Sequence, residues 1–171
     1  MKIIATISHH SYGREAIEEI IRAGAEVLRY DFSNGTPEEL EQRIRAARFV
    51  IDKLGLRRKV KILADIPNEA HPLKNLRDMS PEWVVLSGVG NAASLKKDKH
   101  LLIHHLGYCP TILAKIESNE GVKNVSEIAA ACDIIFIDRE AIGAQCPIEF
   151  LGVYQKKIVS AAKHAGKQAM I

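Results

Sequence analysis

Residues 111–121 read TILAKIESNEG and join a strand pattern to the start of a helix. The first six residues are mostly apolar, with β-branched residues among them, which is typical of a buried strand. Ser118 or Asn119 is placed to cap the short helix that follows. Lys115 and Glu117 are two residues apart, so their side chains point to the same face of the strand. The stretch therefore predicts a βα unit with a cation and a carboxylate at the carboxyl end of its strand.

The same alternation of strand and helix runs along the whole chain. Predicted strands cover residues 2–7, 26–32, 60–66, 82–87, 111–117, 133–138 and 167–171. Predicted helices cover residues 14–23, 37–54, 94–106, 125–131 and 148–165, with one or two helical turns within 72–79. Apolar runs such as KIIATI and DIIFI indicate strands buried on both faces. Such alternation predicts a parallel sheet with right-handed crossovers.

A βα repeat of about 25 residues favours a (β/α) barrel over a dinucleotide-binding sheet. No GxGxxG motif follows the first strand, where the sequence reads TISHHSYG. We therefore predict a single α/β domain over residues 1–171. A full barrel has about eight strands, whereas seven are predicted from this sequence. Either the barrel closes with seven strands or a partner chain completes it, and a symmetric or swapped homodimer is our preferred prediction.

The composition is that of an ordinary globular protein, with 47% hydrophobic and 26% charged residues and a net charge of +3. Mild, dispersed charge and 5% aromatic residues predict that nucleic acid is not a partner. No apolar run approaches the roughly 18 residues that span a bilayer, and the N-terminus is too polar for a signal peptide. The three cysteines form no CxxC motif, so we expect reduced thiols and a cytoplasmic location.

Polar residues follow most of the predicted strands, at the end where barrels carry their chemistry. They are Ser8, His9 and His10; Arg29, Asp31 and Ser33; Asp65, Asn68 and Glu69; Ser87; Lys115 and Glu117; and Asp138, Arg139 and Glu140. Carboxylates hold hard cations, and Arg and Lys bind phosphate or carboxylate. The set therefore predicts a site for a divalent metal and an oxyanion, although Lys115 and Glu117, by spacing alone, also fit a structural ion pair.

Three stretches resemble pyruvate kinase. RYDFSNGTPEE (29–39) resembles RLNFSHGTHEE of that family, and AKIESNEGVKNVSEI (114–128) resembles AKIENQEGVxNLDEI. PIEFLGVYQKKIVSAAKHAGK (147–167) resembles PLEEVPxxQKKIIxxCNxAGKP. The resemblance implies a TIM-type (β/α) barrel of the pyruvate kinase type, truncated to about seven strands. The family's lid domain, the end of its barrel and its C-terminal domain have no counterpart in this sequence.

The resemblance also implies roles for individual residues. Lys115 resembles the lysine that lies against the transferred phosphoryl group and steadies the enolate oxygen, and Glu117 resembles a metal-binding carboxylate. Arg29 resembles the arginine that contacts phosphate, and Ser87 is a further candidate for substrate binding. Ser33 and Asp65 resemble ligands of potassium, and Asp31 stands where the family has an asparagine ligand.

The sequence departs from the family at several strand ends. DREAIG (138–143) replaces ARGDLG, so Ala141 stands where the second metal-binding aspartate belongs. Asp138 and Glu140 remain as candidate ligands, and whether Glu140 substitutes for the aspartate is left open. DIPNEAHP (65–72) and SGVG (87–90) lack the basic residues of the family's DLKGPEIR and SFVR. These losses predict poor phosphoryl transfer, which depends on charge neutralisation and exclusion of water.

The expected function is that of a stand-alone, divergent pyruvate kinase-like barrel. It would bind a small carboxylate or phosphate ligand of the phosphoenolpyruvate or pyruvate type, with Mg²⁺ or Mn²⁺ and with K⁺ as a further cation. Its activity would be lyase, aldol or enolisation chemistry rather than conventional kinase activity. The alternative is a non-catalytic binding or scaffold protein derived from pyruvate kinase. A mere fragment of a longer kinase is disfavoured, because the substitutions fall selectively at functional strand ends.

Overall fold

The computed structural model describes residues 2–67 and 76–171, and within them strands and helices alternate. The strands are β1 (Ile3–Thr6), β2 (Ala25–Asp31), β3 (Lys61–Ile66), β4 (Trp83–Leu86), β5 (Thr111–Ile116), β6 (Ile134–Ile137) and β7 (Gln168–Met170). The helices are α1 (Arg14–Arg22), α2 (Pro37–Lys53), α3 (Leu76–Met79), α4 (Ala92–Leu106), α5 (Asn119–Lys123), α6 (Val125–Ala131), α7 (Arg139–Gly143) and α8 (Ile148–His164). Strand order follows chain order. The predicted α/β class with about seven parallel strands is confirmed.

Contacts divide the chain into two compact units, with the division falling inside β4 between Val84 and Val85. In the first unit, β1 pairs with β2 and β2 with β3, all in parallel. The register places Thr6 beside Arg29, and Asp31 beside Asp65. Side chains of α1 and α2 pack on this sheet. Buried residues of the helices and of the strands together form the core, which includes Ile17, Leu28, Tyr30, Ile44, Ile51 and Ile62. The packing leaves the carboxyl ends of the strands for polar residues.

In the second unit, β5 pairs with β6 and β6 with β7, again in parallel. The register places Lys115 beside Phe136, and Ile116 beside Ile137. Apolar residues of the strands and of α6 and α8 are fully buried, among them Ile112, Leu113, Val125, Ile128, Ile135 and Ile158. Lys115 is therefore the one charged residue of β5, whose sequence TILAKI is otherwise mostly apolar.

The local start signals behave as the sequence predicts. Thr36 caps α2 in a capping box, accepting a hydrogen bond from the Glu39 amide, while the Glu39 carboxylate accepts one from the Thr36 amide. Of the two candidate caps for α5, Ser118 makes the contact, because its Oγ accepts from the Gly121 amide at 3.1 Å. Helix α7 was not predicted, since five residues are too few to show a helical period.

Three sequence predictions remain predictions. Asn68, Glu69 and most of the departure at residues 65–72 lie outside the described residues. The single-domain assignment and the closure of the barrel by a partner chain are likewise left as predictions. Among the helices described, none combines the length and hydrophobicity needed to cross a membrane.

Candidate active site

The first group, which we call the Arg29 cluster, brings together three predicted site residues, Arg29, Asp31 and Asp65. Thr6, which was not predicted, also belongs to it. The Arg29 guanidinium donates to Asp65 Oδ2 from Nε at 2.9 Å and from Nη2 at 2.5 Å. Its Nη1 donates to Thr6 Oγ1 at 3.1 Å, and its Nη2 lies 3.6 Å from Asp31 Oδ2. The Asp65 side chain is only 3% exposed, so this pairing offsets the cost of burying its charge.

Asp31 is held by the turn that follows β2. Its Oδ1 accepts from the Ser33 amide at 2.9 Å, and its Oδ2 accepts from Asn34 Nδ2 at 3.1 Å. The Arg29 cluster thus gathers two carboxylates and a hydroxyl around one cation, beside the turn that carries Ser33. Oxygen atoms of this kind suit a hard monovalent cation, and the potassium site stays a prediction.

The second group, which we call the Lys115 cluster, consists of Lys115, Glu117 and Asp138. The Lys115 ammonium lies 3.6 Å from Glu117 Oε2 and 3.3 Å from Asp138 Oδ2, at the carboxyl ends of β5 and β6. The side chain of Lys115 is 14% exposed and the side chains of Glu117 and Asp138 are each 23% exposed. The cluster is therefore mostly buried but still accessible to solvent. The Phe136 ring, whose centroid is 5.9 Å from the ammonium, provides an apolar neighbour.

Each carboxylate of the Lys115 cluster is anchored through its other oxygen. Glu117 Oε1 accepts from the Gly88 amide at 2.5 Å. Asp138 Oδ1 caps α7 by accepting from the Ala141 amide at 3.0 Å. Both carboxylates are therefore held by backbone N–H groups through one oxygen. The other oxygen of each, Glu117 Oε2 and Asp138 Oδ2, faces Lys115. Such preorganisation is what an electrostatic site requires.

The two carboxylates of this cluster are donors that suit Mg²⁺ or Mn²⁺. They are too few for a structural metal site, in which the protein supplies every ligand. Mg²⁺ is usually held by one or two carboxylates, with substrate and water completing its shell. Glu117 and Asp138 supply two such carboxylates. No group of three or more His, Cys, Asp or Glu side chains placed for a metal is found in residues 2–67 and 76–171. A site here would depend on the ligand for the remaining positions.

The roles of the other predicted residues stay predictions. Glu140 is exposed in the first turn of α7, and it is Asp138 that pairs with Lys115. Ser87 follows β4 and is half-buried. His9 and His10 are exposed, with their ring centroids 3.8 Å apart.

Sequence reasoning missed the groups that hold Glu117 in place. Besides the Gly88 amide, Gln145 contacts this residue, since its Nε2 donates to the Glu117 carbonyl at 2.8 Å. The two positions are 28 residues apart, and a glutamine in a loop gives no pattern to find.

Two further features lie apart from the predicted chemistry. Burial raises the pKa of the Cys132 thiol to about 11, which keeps it protonated and supports its interpretation as a packing residue. A groove of 490 Å³ between α6 and α8 is lined by Ser126, Ala130, Lys157, Ser160, Ala161, His164 and Ala165. None of the predicted site residues lines this groove.

Comparison with known proteins points to one family. The model of the pyruvate kinase barrel domain matches residues 1–80 and 70–171. Pyruvate kinase from Methanocaldococcus jannaschii is 34% identical over 97 residues, which cover 55% of this chain and 22% of that protein. The enzyme from Lactococcus lactis is 46% identical over 85 residues, covering 50% of this chain and 17% of that protein. The enzyme from Thermococcus litoralis is 47% identical over 66 residues, 39% of this chain and 14% of that protein. Each match thus spans under a quarter of the relative's length.

Proposed function

The chain belongs to the pyruvate kinase family through its barrel domain, and on that premise we propose that it binds an anion of the phosphoenolpyruvate or pyruvate type at the Lys115 cluster. The observation that carries the proposal is the placement of one ammonium between two anchored carboxylates at the ends of neighbouring parallel strands. That end of a barrel strand is where such folds place their chemistry. We place this activity in the cytoplasm, with the thiols reduced.

The charges of the cluster make metal dependence part of the proposal. One ammonium faces two carboxylates, which leaves an excess of negative charge and repels a free anion. A bound Mg²⁺ or Mn²⁺ would supply the positive charge needed to attract the anion and to polarise its carbonyl oxygen. Glu117 and Asp138 would hold the metal, and the Lys115 ammonium would stabilise negative charge that develops on an enolate oxygen.

The Arg29 cluster has the same balance of one cation and two carboxylates. K⁺ would neutralise its excess negative charge through oxygens of Asp31, Ser33 and Asp65. Arg29 is committed to Asp65 by two hydrogen bonds, so we assign it first to holding that carboxylate and second to contacting a phosphate.

Enolate chemistry, as in a lyase, aldol or enolisation reaction, is favoured over transfer of a phosphoryl group to ADP. Phosphoryl transfer needs several cations around the three oxygens of the migrating group. The loop after β4 offers Gly88 and Gly90 where the family has bulkier and basic residues, so it brings no cation. We expect no detectable ATP from phosphoenolpyruvate and ADP, and turnover near that of ordinary kinases would contradict this assignment.

Titration calorimetry with phosphoenolpyruvate, pyruvate and oxalate, each with and without Mn²⁺, tests the proposal. We expect oxalate, a mimic of the enolate, to bind only when Mn²⁺ is present. Lys115→Met, which keeps the length of the side chain and removes its charge, should abolish that binding. Lys157→Met, a matched change of a lysine on α8, should leave it unchanged. Equal oxalate binding by wild type and Lys115→Met would refute the role of Lys115.

A non-catalytic scaffold is the second candidate, and one observation favours it. The first half of α8 exposes apolar side chains, with Ile148 70%, Phe150 51% and Val153 59% exposed. Exposed apolar residues along one helix are typical of a surface that binds another protein. Absence of both metal and anion binding in the calorimetry would favour this candidate.

A further inference from the structure

Glu117 is held from two directions although it lies just beyond the end of β5. The Gly88 amide, from the loop after β4, donates to its carboxylate at 2.5 Å. The Gln145 carboxamide, from the loop between α7 and α8, donates to its backbone carbonyl at 2.8 Å. Glu117 lies beyond the last paired residue of β5, so hydrogen bonds between strands do little to fix its position. The two hydrogen bonds from Gly88 and Gln145 therefore determine where its carboxylate lies.

The loop that carries Gly88 is itself fixed. Gly88 has a φ of 68°, a left-handed conformation that glycine adopts without strain. Asn124 Nδ2 donates to the Gly90 carbonyl at 2.8 Å. A Cβ on Gly121 would lie 2.9 Å from the Val89 carbonyl, so α5 and the loop meet backbone to backbone. The Gly88 amide is therefore a rigid donor.

Gln145 connects the segments that carry the two carboxylates. Its Nε2 donates to the Glu117 carbonyl at 2.8 Å and also lies 3.4 Å from the Ala141 carbonyl. The Ala141 amide is the group that holds Asp138 Oδ1. One side chain thus contacts both the end of β5, where Glu117 lies, and the turn of α7 that anchors Asp138.

The orientation of the Gln145 carboxamide is fixed by its neighbours. Its NH₂ group faces two carbonyl oxygens, whereas its Oε1 accepts from the Asn119 amide at 3.4 Å. Asn119 Nδ2 in turn donates to the Gln145 carbonyl at 3.1 Å. Because Gln145 is exposed, these polar contacts rather than apolar packing are what its side chain contributes.

We propose that Gln145 is a positioning residue that sets the separation of the Glu117 and Asp138 carboxylates around Lys115. The inference rests on the proposed function, since it concerns the spacing of the two carboxylates that would hold the metal. Groups that orient metal ligands from behind typically affect metal affinity by about 10- to 100-fold when they are removed. Gln145 acts on the two carboxylates through the backbone, because it holds the Glu117 carbonyl and lies against the Ala141 carbonyl.

Two variants test this role. Gln145→Ala removes the carboxamide, and Gln145→Glu keeps its size but replaces the donor with an acceptor, so both should break the tether. We expect the Kd for Mn²⁺ in the presence of oxalate, measured by the electron paramagnetic resonance signal of free Mn²⁺, to rise about tenfold in each. The melting temperature without metal should stay close to that of the wild type. Gln42→Ala, which truncates an exposed glutamine of α2, is the matched control and should change neither quantity.

A readout without metal separates this inference from the proposed function. The amide proton of Gly88 reports its hydrogen bond to the Glu117 carboxylate, and we expect its resonance to shift upfield in both Gln145 variants but not in Gln42→Ala. A wild-type protein that binds no Mn²⁺ overturns the proposed function, and the Gly88 resonance alone then decides the role of Gln145. Unchanged Gly88 resonance in the variants, or unchanged Mn²⁺ affinity where the wild type binds, overturns the role of Gln145.

Discussion

At the scale of single residues, Tyr30 is the exception to a well-satisfied core. Its side chain is fully buried in the first unit, and its hydroxyl has no hydrogen-bond partner among the described residues. Burial also raises the pKa of this phenol above its usual value, because the phenolate cannot be solvated there. A buried polar group without a partner costs about 1–3 kcal/mol of stability.

Tyr30→Phe should therefore leave the free energy of unfolding at neutral pH unchanged or raise it by about 1 kcal/mol. The advantage of the variant should grow above about pH 10, where tyrosine ionises in the unfolded chain but Tyr30 stays protonated in the folded one. Ionisation of the unfolded state alone lowers stability as the pH rises, and the variant lacks this group. Urea unfolding at several pH values measures both effects.

Tyr154→Phe, at a half-buried position of α8, is the control for the loss of a phenol. A loss of more than about 1 kcal/mol in Tyr30→Phe at neutral pH would show that the hydroxyl is satisfied after all.

At the scale of elements, α2 has the most complete start signal among the helices whose first turn the structure describes. The capping box of Thr36 and Glu39 satisfies two backbone amides, and Pro37 stands where no amide hydrogen is needed. Glu38 and Glu39 place negative charge in the first turn, where the helix dipole is positive. The same helix buries Leu40, Ile44, Ala47, Val50 and Ile51 against the sheet. Loss of the cap should consequently lower the stability of the whole first unit.

Thr36→Ala should lower the free energy of unfolding by about 1 kcal/mol, within a range of about 0.5–2 kcal/mol. The reason is the loss of the 3.2 Å hydrogen bond from the Glu39 amide to Thr36 Oγ1. Thr36→Ser keeps the hydroxyl and should remain close to wild type. Equal destabilisation by the two variants in urea unfolding would count against the cap and in favour of the lost methyl group.

At the scale of the whole molecule, β1 and β7 are the two strands at the ends of the strand order. Among the described residues, β1 pairs with β2 and β7 pairs with β6, and Ile3 on β1 is 49% exposed. Strand edges of this kind are templates for pairing with another chain. We propose that a second copy of the chain covers them, in line with the dimer predicted from the strand count.

Sedimentation velocity at several protein concentrations should show a dimer that dissociates on dilution, because strand pairing between copies obeys mass action. Replacing Ile148 and Val153 on α8 with lysine should leave this dimer intact, since those side chains belong to a different surface. A monomer at all concentrations would contradict the proposal. Loss of the dimer in the α8 variant would assign the interface to α8 instead.

The amino-acid sequence by itself determined the features that depend on neighbours in the chain. The alternation of strands and helices, the capping of α2 and the shared face of Lys115 and Glu117 follow from local geometry and hydrophobic period, which act over a few residues. The seven strands and the α/β class follow from repeating those local patterns. The family resemblance likewise rests on short, contiguous stretches.

Only the tertiary structure decided which groups meet around each site. Asp138 approaches Lys115 because β6 pairs with β5, and Arg29 reaches Asp65, 36 residues away, because β3 lies beside β2. Gln145 reaches Glu117 across 28 residues of chain. No local pattern encodes such contacts, since their partners are brought together by strand register and by helix packing. The sequence therefore predicts the ends of the strands as the place of the chemistry, and the fold selects the partners within it.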